Sequence, residues 1–411
     1  MPRTPLLSLL LAATGAAAQT SPWYLGASVG VAHEDNVYRL ADGVAAPAGV
    51  SKSDTITTAA LLAGLDQPVG RQRVYGNATL RDSRFDRNRV LDNQGYALRA
   101  GMDWSTAERV SGNLDLRVDR SLARFNTDTE IGLITRRNIE QVRQAAASVR
   151  VGVVTEYSLE AGLERREVDY SAPEYAPREN RVNTATAGLR WRPSAGLMLG
   201  GGLRHVRGIY PQFEPLAGGG FRADRFTRDG LDLLFELTPG GASRFDGRVT
   251  LGRTRYEAAT ARDFSGVTGA ARWVWQPGAK LQLTTRLTRD DGQSGYYSTS
   301  PLVDGVVDYS RTTTVLSLRG DYTATAKLRF NAVLAAGRRD LVRTLPPTAL
   351  VPGDASGREN TLEATLGLSW DPTRRAVLGC DLGHERRTGR GELARPYRAG
   401  RIACYGQIFL R

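Results

Sequence analysis

Apolar and polar residues alternate with a period of two in segments spread along the whole chain. In the segment 110–120, the even positions from Val110 to Val118 are apolar or glycine, and the odd positions from Ser111 to Asp119 are polar. A strand with one apolar face produces this pattern, and a helix does not. The same alternation occurs in the segments 157–164, 231–237, 281–288 and 361–369. Because each segment is long enough to cross a bilayer as a tilted strand, the pattern predicts an all-β transmembrane barrel.

The segment 398–411 is expected to be the strand that closes this barrel. Its apolar face comprises Gly400, Ile402, Cys404, Gly406, Ile408 and Leu410. Strands of this kind usually end in an aromatic residue, whereas here Phe409 is followed by Leu410 and Arg411. The barrel-assembly machinery recognises such strands and is therefore an expected partner. An edge strand of a soluble sheet is the alternative if the segment is considered alone.

Short and long connections alternate between the predicted strands. Tight turns, most of them with Gly, Pro or Asp, are predicted near 67–68, 106–107, 155–156, 193–194, 239–241, 277–278, 323–324 and 371–372. The clearest longer polar loops are predicted at 37–53, 126–137, 211–222, 291–309 and 342–358. This arrangement predicts an antiparallel barrel of about 18 strands with short periplasmic turns, longer extracellular loops and both ends in the periplasm. A soluble β-propeller also contains hairpins, but it needs no such alternation.

The N-terminal residues differ from this pattern. Arg3 precedes an apolar run at 6–13 and a group of small residues. We therefore predict that 1–18 is a secretory signal peptide, cleaved near Ala18, which directs the chain to the Gram-negative outer membrane. Length alone would suggest several soluble domains. Because no linker or shift of composition divides 19–411, we predict a single outer-membrane barrel domain.

All six tryptophans are predicted near the periplasmic ends of strands. They are Trp23, Trp104, Trp191, Trp273, Trp275 and Trp370. An interfacial aromatic girdle would place them there, so the lipid of the outer membrane is an expected partner. The alternative is that they are core tryptophans of a soluble sandwich.

If the apolar faces contact lipid, the opposite faces line the lumen with arginine. The predicted lumen-lining arginines are Arg73, Arg81, Arg117, Arg166, Arg190, Arg248, Arg286, Arg319 and Arg329. The acidic residues expected among them are Asp115, Glu160, Glu164, Asp246, Glu363 and Asp381, so basic groups are expected to predominate. The planar fork of arginine binds carboxylates and phosphates in pairs, which predicts a lumen that favours anions or acidic polysaccharide. The alternative is that arginines and acids merely cross-link the inner wall.

Catalysis finds little support in the sequence. The three histidines, His33, His205 and His384, are far apart and lack a recognisable arrangement of nucleophile and acid. A rim enzyme that combines His384 with Asp381 or Glu385 is the alternative, although neighbouring strand residues point to opposite faces. We expect no catalytic residues, no cofactor and no metal site, because no zinc, phosphate-loop or dinucleotide motif is present. Nucleic acid is not an expected partner, since the basic residues are spread through the strands.

Cys380 and Cys404 are the only cysteines of the chain. They share the apolar parity of the last two predicted strands and are equally spaced about 391–392. In an antiparallel hairpin with this symmetry they would be cross-strand neighbours. A disulfide that clamps the closing hairpin is therefore predicted, since the periplasm is oxidising. Two free thiols are the alternative.

Several segments resemble one known family, the exosortase-associated exopolysaccharide biosynthesis barrels, or EpsL-like proteins. These segments are His-Glu-Asp-Asn-Val-Tyr-Arg-Leu at 33–40, Ser-Asp-Thr-Ile-Thr-Thr at 53–58, Pro-Val-Gly-Arg-Gln-Arg at 68–73 and Gly-Tyr-Ala-Leu-Arg-Ala-Gly-Met-Asp-Trp at 95–104. The paired cysteines are also similar to those of the family. The first segment includes Asp35, Asn36, Tyr38 and Arg39, which we place at the outer rim of the first hairpin.

The resemblance implies export or assembly of a secreted polysaccharide, beside a periplasmic polysaccharide-export lipoprotein and an inner-membrane polymerase. The principal hypothesis is therefore an exopolysaccharide-exporting barrel with an arginine-rich lumen. A general diffusion porin that favours anions is the second hypothesis. A rim enzyme acting on lipid or polysaccharide is the third.

Overall fold

The computed structural model describes residues 21–106, 109–125, 133–152, 155–216, 218–258, 263–290, 310–343 and 355–410. The predicted signal peptide at 1–18 and the predicted loop at 291–309 lie outside the described residues. The short 3-10 helices Arg89–Leu91 and Pro173–Arg178 lie in connections between strands. Within the described ranges, no helix has the length and apolar content needed to cross a membrane.

The described chain forms eighteen strands. They are β1 (Trp23–Glu34), β2 (Asp54–Val69), β3 (Gln72–Phe85), β4 (Asn93–Ser105), β5 (Val110–Leu122), β6 (Ile139–Val151), β7 (Tyr157–Tyr170), β8 (Asn180–Ser194), β9 (Leu197–Pro215), β10 (Phe221–Gly240), β11 (Ser243–Tyr256), β12 (Phe264–Trp275), β13 (Leu281–Asp290), β14 (Ser310–Thr323), β15 (Leu328–Arg343), β16 (Ala355–Thr373), β17 (Ala376–Gly391) and β18 (Tyr397–Leu410).

Each strand pairs with the next one in antiparallel fashion, and β18 pairs with β1 to close the ring. At the closure, Leu25 lies opposite Leu410 and Glu34 lies opposite Arg401. A closed ring satisfies the backbone hydrogen bonds of a sheet without leaving an edge, which a bilayer requires. The predicted fold class and strand number are confirmed, since the described residues form a closed antiparallel β-barrel of eighteen strands.

The two faces of the barrel wall differ in composition. One face carries large apolar side chains that are well exposed, such as Leu203 (69%), Leu163 (67%) and Ile408 (64%). This is the face expected against lipid. All six tryptophans lie on it at the ends of strands that adjoin the short turns, as an interfacial girdle would. The opposite face is the inner one, because its side chains contact residues from distant parts of the ring, as Glu385 of β17 does with Arg124, which follows β5.

Several predicted tight turns lie two or three residues from the observed reversal of the chain. The predicted turn at 67–68 belongs to β2, and the chain reverses at Gly70 and Arg71. Gly70 has a φ of 61°, a conformation that suits glycine and a tight turn. The predicted turns at 193–194 and 371–372 likewise lie within the ends of β8 and β16, and the predicted turn at 239–241 overlaps the observed reversal at 241–242. Each contains a proline, which strand ends tolerate because the ladder stops there.

Two predicted loops are partly strand. β9 continues to Pro215 and pairs there with Phe221 of β10, so most of the predicted loop at 211–222 is a continuation of this hairpin. The ends of the predicted loop at 342–358 also pair, with Val342 opposite Ser356. These segments project beyond the apolar band, where both faces contact water. The alternation of apolar and polar residues that marks a membrane strand is therefore absent from them.

Cys380 and Cys404 lie directly opposite each other on β17 and β18 and form a disulfide. Both lie on the outer face, next to Leu368 of β16 and Val31 of β1 in the ladder. The predicted pairing is thus present in the structure. The bond joins the two strands of the hairpin that closes the barrel.

Inner-face glycines allow aromatic rings to lie flat on the wall, and Gly208 provides a test. A Cβ at Gly208 would come within 2.1 Å of the ring of Phe226, which belongs to a buried group with Tyr210 and Tyr256. We expect Gly208→Val to lower the temperature at which the folded barrel unfolds on heating, because overpacking costs about 1–3 kcal/mol. Gly201→Val is the matched control, since nothing lies within 4 Å of its Cβ position. Equal unfolding temperatures for the two variants would contradict this packing.

Candidate binding site in the barrel interior

The register of the ladder places all nine arginines named as lumen-lining on the inner face. Arg117 lies opposite Arg99 and Gln144, and Arg190 lies opposite Ser158 and Gly200. The same parity holds for Arg73, Arg81, Arg166, Arg248, Arg286, Arg319 and Arg329. Because the side chains of a strand alternate strictly, the register alone determines this placement.

Several of these arginines are paired with acidic side chains of the same wall. The ion pairs are Arg73–Asp66 (2.5 Å), Arg190–Glu160 (2.6 Å), Arg319–Asp321 (2.7 Å), Arg329–Asp371 (2.8 Å) and Arg81–Asp119 (3.8 Å). The Arg73–Asp66 pair is about half exposed, so it contributes at most about 1 kcal/mol to stability. These arginines therefore cross-link the inner wall through ion pairs, as the alternative interpretation of the arginine-rich face predicts.

The inner face carries more acidic residues than the six predicted from the sequence. The ladder adds Glu34, Asp66, Asp103, Asp119, Asp232, Glu236, Asp321, Glu359, Asp371 and Glu385 to this face. The expected predominance of basic groups does not hold for the wall as a whole. These acids were missed because many of them lie near strand ends, where the apolar alternation that reveals parity is weakest.

An excess of arginine remains on one part of the inner face, from β7 to β13. Its arginines include Arg166, Arg190, Arg204, Arg228, Arg248, Arg272 and Arg286, and its acids include Glu160, Glu164, Asp232, Glu236 and Asp246. Glycines lie between them: Gly230, Gly252 and Gly266 form one row of the ladder beside Arg204. The missing side chains leave room for arginines to extend along the wall, as Arg228 does over Gly252. This strip can attract anions.

The first extracellular loop, residues 35–53, folds into the barrel and packs on the opposite part of the wall. Val37, Tyr38 and Leu40 are at most 3% exposed. They form one apolar cluster with Ile56, Phe85, Leu91 and Phe125. Ile56 and Phe85 face inward from β2 and β3, and Phe125 follows β5. The loop therefore occupies lumen space near the extracellular end of β1–β5.

The segment that resembles the EpsL-like proteins anchors this infolded loop. The Asp35 backbone N–H donates to the Gly400 carbonyl (3.1 Å), and Asp35 Oδ1 accepts from the Gly400 N–H (2.7 Å). Asn36 Nδ2 donates to the carbonyls of Leu40 (2.8 Å) and Arg398 (2.7 Å), and Asn36 Oδ1 accepts from the Leu40 N–H (2.9 Å). Asp35 and Asn36 thus tie the loop to the backbone of β18. Their side chains are committed to the protein itself.

Tyr38, which belongs to this loop, is fully buried. Its ring lies 4.8 Å from the ring of Phe125, and its hydroxyl lies 3.2 Å from the Thr135 carbonyl and 3.4 Å from Asn88 Oδ1. Both partners are acceptors, so the hydroxyl must be the donor. Burial, together with the negative charge of Asp54, raises the pKa of Tyr38 to about 12. The hydroxyl therefore stays protonated and keeps this donor role across the physiological range.

A second set of contacts crosses the interior through charged groups. Arg124, two residues after the end of β5, lies 2.8 Å from Glu385 of β17 and 3.7 Å from Glu363 of β16. Arg39 of the first loop pairs with Glu34 and lies 3.8 Å from Glu385. Burial opposes ionisation of both arginines, but the surrounding carboxylates outweigh it and raise the pKa of each. Both arginines are therefore cations.

This crossing contact shows that the loops narrow the lumen. Along the wall, β5 and β17 are separated by β18, β1, β2, β3 and β4. A side chain that follows β5 can reach Glu385 only through the interior. The 261-residue separation of Arg124 and Glu385 explains why no sequence pattern predicts the contact.

The ionic cluster continues along the inner face of β15–β18. The Tyr397 hydroxyl donates to Glu385, and the Arg387 guanidinium stacks on the Tyr397 ring at 4.7 Å. Glu359 accepts from Arg339 and lies 3.7 Å from Arg387. These side chains are at most 6% exposed. Removing one partner from such a network leaves a buried charge unpaired, which costs about 3–5 kcal/mol.

The histidines do not form a catalytic arrangement. His384 lies on the outer face, whereas Asp381 and Glu385 point into the lumen. His384 therefore does not combine with either acid as a rim enzyme would require. His33 and His205 also face outward. No group of three or more His, Cys, Asp and Glu side chains in the described chain is placed to hold a metal ion.

No protein-family model matches this chain, and no curated protein matches it significantly. Solved structures similar to it include the outer membrane protein OpdK of Pseudomonas aeruginosa, solved with vanillate (14% identity, 94% of this chain, 99% of that chain, TM-score 0.47). OccK2 (OpdF) of the same organism, solved in complex with glucuronate, has 14% identity over 95% of this chain and 98% of its own, with a TM-score of 0.48. OccK3 (OpdO) has 14% identity over 95% and 96%, with a TM-score of 0.46.

Proposed function

We propose that the protein is an outer-membrane diffusion channel for small anions, narrowed by its infolded loops. The observation that carries this proposal is the contact of Arg124 with Glu385, which holds the residues that follow β5 across the lumen. A lumen occupied in this way suits small solutes. A long polymer needs a wide and unobstructed bore, so the narrowing counts against a passage for polysaccharide.

The path is expected to follow the inner face of β7–β13. The first loop packs against β1–β5, and the ionic cluster lines β15–β18. Between them, the β7–β13 strip presents arginines with few bulky neighbours. Guanidinium groups hold carboxylates and phosphates, and the acids among them keep the binding weak enough for release. An anion would therefore pass from one arginine to the next.

Selectivity can be tested on Arg248 and Arg286, which lie on the inner face of β11 and β13. We expect the double substitution Arg248→Gln and Arg286→Gln to lower the chloride-to-potassium permeability ratio by roughly two-fold, because two cationic groups leave the path. The measurement is the reversal potential of the refolded barrel in a planar bilayer under a salt gradient. Arg289→Gln on the outer face of β13 is the control and should leave the ratio unchanged. If the double variant has an unchanged chloride-to-potassium permeability ratio, the anion path does not follow β7–β13.

Export or assembly of a secreted polysaccharide is the second candidate, and the resemblance at 33–40 favours it. In this role the infolded loop would open when a periplasmic export lipoprotein binds the barrel. Deleting the gene should then abolish secreted polymer without altering the uptake of small anions. The opposite result, normal polymer and impaired anion uptake, would support the diffusion channel.

A further inference from the structure

The outer face of β9–β11 changes abruptly from apolar to charged toward the extracellular end. Leu203, Leu231 and Leu251 lie side by side in one row of the ladder, each at least 43% exposed. The next row on this face consists of His205, Asp229 and Arg253. Such a step marks the boundary between acyl chains and lipid head groups.

Three arginines project from this boundary. Arg253 and Arg255 are two residues apart on the same face of β11, about 7 Å along the strand. Arg207 of β9 lies in the same row as Arg255, with Thr227 of β10 between them, so they are about 10 Å apart. All three are exposed.

The acidic residues near these arginines are already engaged. Asp229 Oδ1 lies 2.7 Å from His205 Nδ1, and Glu257 pairs with Arg225 at 3.7 Å. Within the described ranges, no ion pair joins Arg253 or Arg255 to an acidic side chain, although Asp229 lies opposite Arg253 in the ladder. Arg207 donates through Nε to His205 Nε2 (2.9 Å), which leaves its terminal nitrogens available.

Some arginines elsewhere on the outer face are paired with acids. Arg165 pairs with Glu167 at 2.5 Å, and Arg358 pairs with Asp340 at 2.9 Å. In each of these pairs, the two opposite charges neutralise each other at the surface. Arg207, Arg253 and Arg255 lie close together and form a cationic patch whose guanidinium groups face the head-group layer.

We propose that Arg207, Arg253 and Arg255 form a binding site for the phosphate groups of a phosphorylated glucosamine lipid in the outer leaflet. Guanidinium forks bind phosphate oxygens in pairs, and three of them spread over about 10 Å can hold two phosphates of one head group. The row of leucines directly below would contact the acyl chains of the same lipid. The site lies on the outer wall and is separate from the proposed anion path.

The experiment compares the full-length barrel in neutral-lipid nanodiscs supplied with bisphosphorylated lipid A or with its dephosphorylated form. Native mass spectrometry counts the lipid retained on the barrel. We expect the wild type to retain the phosphorylated lipid preferentially. The triple variant Arg207→Gln, Arg253→Gln, Arg255→Gln should retain roughly tenfold less of it, because three charge-assisted contacts are removed. The variant Arg71→Gln, Arg374→Gln, Arg375→Gln, which removes the same charge at the periplasmic turns, should retain lipid like the wild type.

Three results of the lipid-retention experiment would overturn the proposal. They are equal retention of the dephosphorylated lipid by the wild type, unchanged retention by the Arg207, Arg253 and Arg255 variant, and equal loss in the periplasmic variant. Inorganic phosphate that displaces the lipid completely at millimolar concentration would reassign the patch to free anions and would also overturn it. Unfolding on heating, measured in neutral lipid, shows that each variant is folded.

Discussion

Replacing Glu385 by Ala is expected to release the infolded loops and to increase the unit conductance of the channel. Glu385 is 6% exposed and is contacted by Arg39, Arg124 and Tyr397. Without the Glu385 carboxylate, Arg39 and Arg124 would each lose an acidic partner. Leaving a buried charge without its partner lowers the free energy of unfolding by about 3–5 kcal/mol. Because the arginines can regain water only by leaving the wall, the loops would move toward the extracellular solvent. Single-channel recording in a planar bilayer measures the change.

Two controls separate this effect from a general loss of stability. Glu385→Gln keeps the volume and an acceptor for Tyr397 but removes the charge, so its conductance should lie between those of the wild type and the Ala variant. Glu167→Gln breaks a pair with Arg165 on the outer face and should leave the conductance unchanged, since exposed pairs contribute at most about 1 kcal/mol. A Glu385→Ala channel with wild-type conductance would show that the crossing contact does not narrow the lumen.

Tyr38→Ala is expected to have the second largest effect, because it removes the centre of the apolar cluster that holds the first loop. Tyr38 is 0% exposed and packs on Phe125. Truncating a buried aromatic side chain costs about 3–5 kcal/mol. The first loop should then detach locally while the barrel remains closed. Faster hydrogen exchange of the amides at 37–40, measured by mass spectrometry, would report this detachment.

Tyr38→Phe is the matched control for this prediction. It keeps the ring and loses only the hydroxyl contacts with Thr135 and Asn88, so its cost should be about 1 kcal/mol. Exchange at 37–40 should then remain close to that of the wild type. Fast exchange in the wild type itself would contradict the docking of the loop.

The barrel could be predicted from the sequence because its main signal is local. Alternation with a period of two reveals strand parity within a few residues. For example, the residues around Arg117 are sufficient to place it on the polar face of β5. The same parity, combined with symmetric spacing about a loop, was sufficient to pair Cys380 with Cys404. These inferences required no knowledge of contacts between distant segments.

The interior site could be predicted only in part. The contacts inside the barrel include those of Asn36 with Arg398 and of Arg124 with Glu385, which join segments far apart in the chain. Loops carry no periodicity, so no pattern shows whether they point outward or inward. The sequence analysis placed Asp35, Asn36, Tyr38 and Arg39 at the outer rim, whereas the structure folds Tyr38 and Arg39 beneath it.

The charge of the lumen was also only partly predictable. Acids such as Glu34 and Glu385 lie near the extracellular ends of strands, where polar residues occupy both faces and parity is hard to read. Their contribution offsets the arginines, so the expected predominance of basic groups does not hold for the wall as a whole. The excess of arginine on β7–β13 depends on which strands are adjacent, and this becomes clear once the ring is closed.

The most direct test of a narrowed anion channel is the single-channel current of the refolded wild-type barrel in a planar bilayer under a potassium chloride gradient. We predict discrete openings of small unit conductance, with a reversal potential that favours chloride and no passage of an acidic oligosaccharide added to one side. Large openings that favour potassium, or openings through which the oligosaccharide passes, would contradict this account.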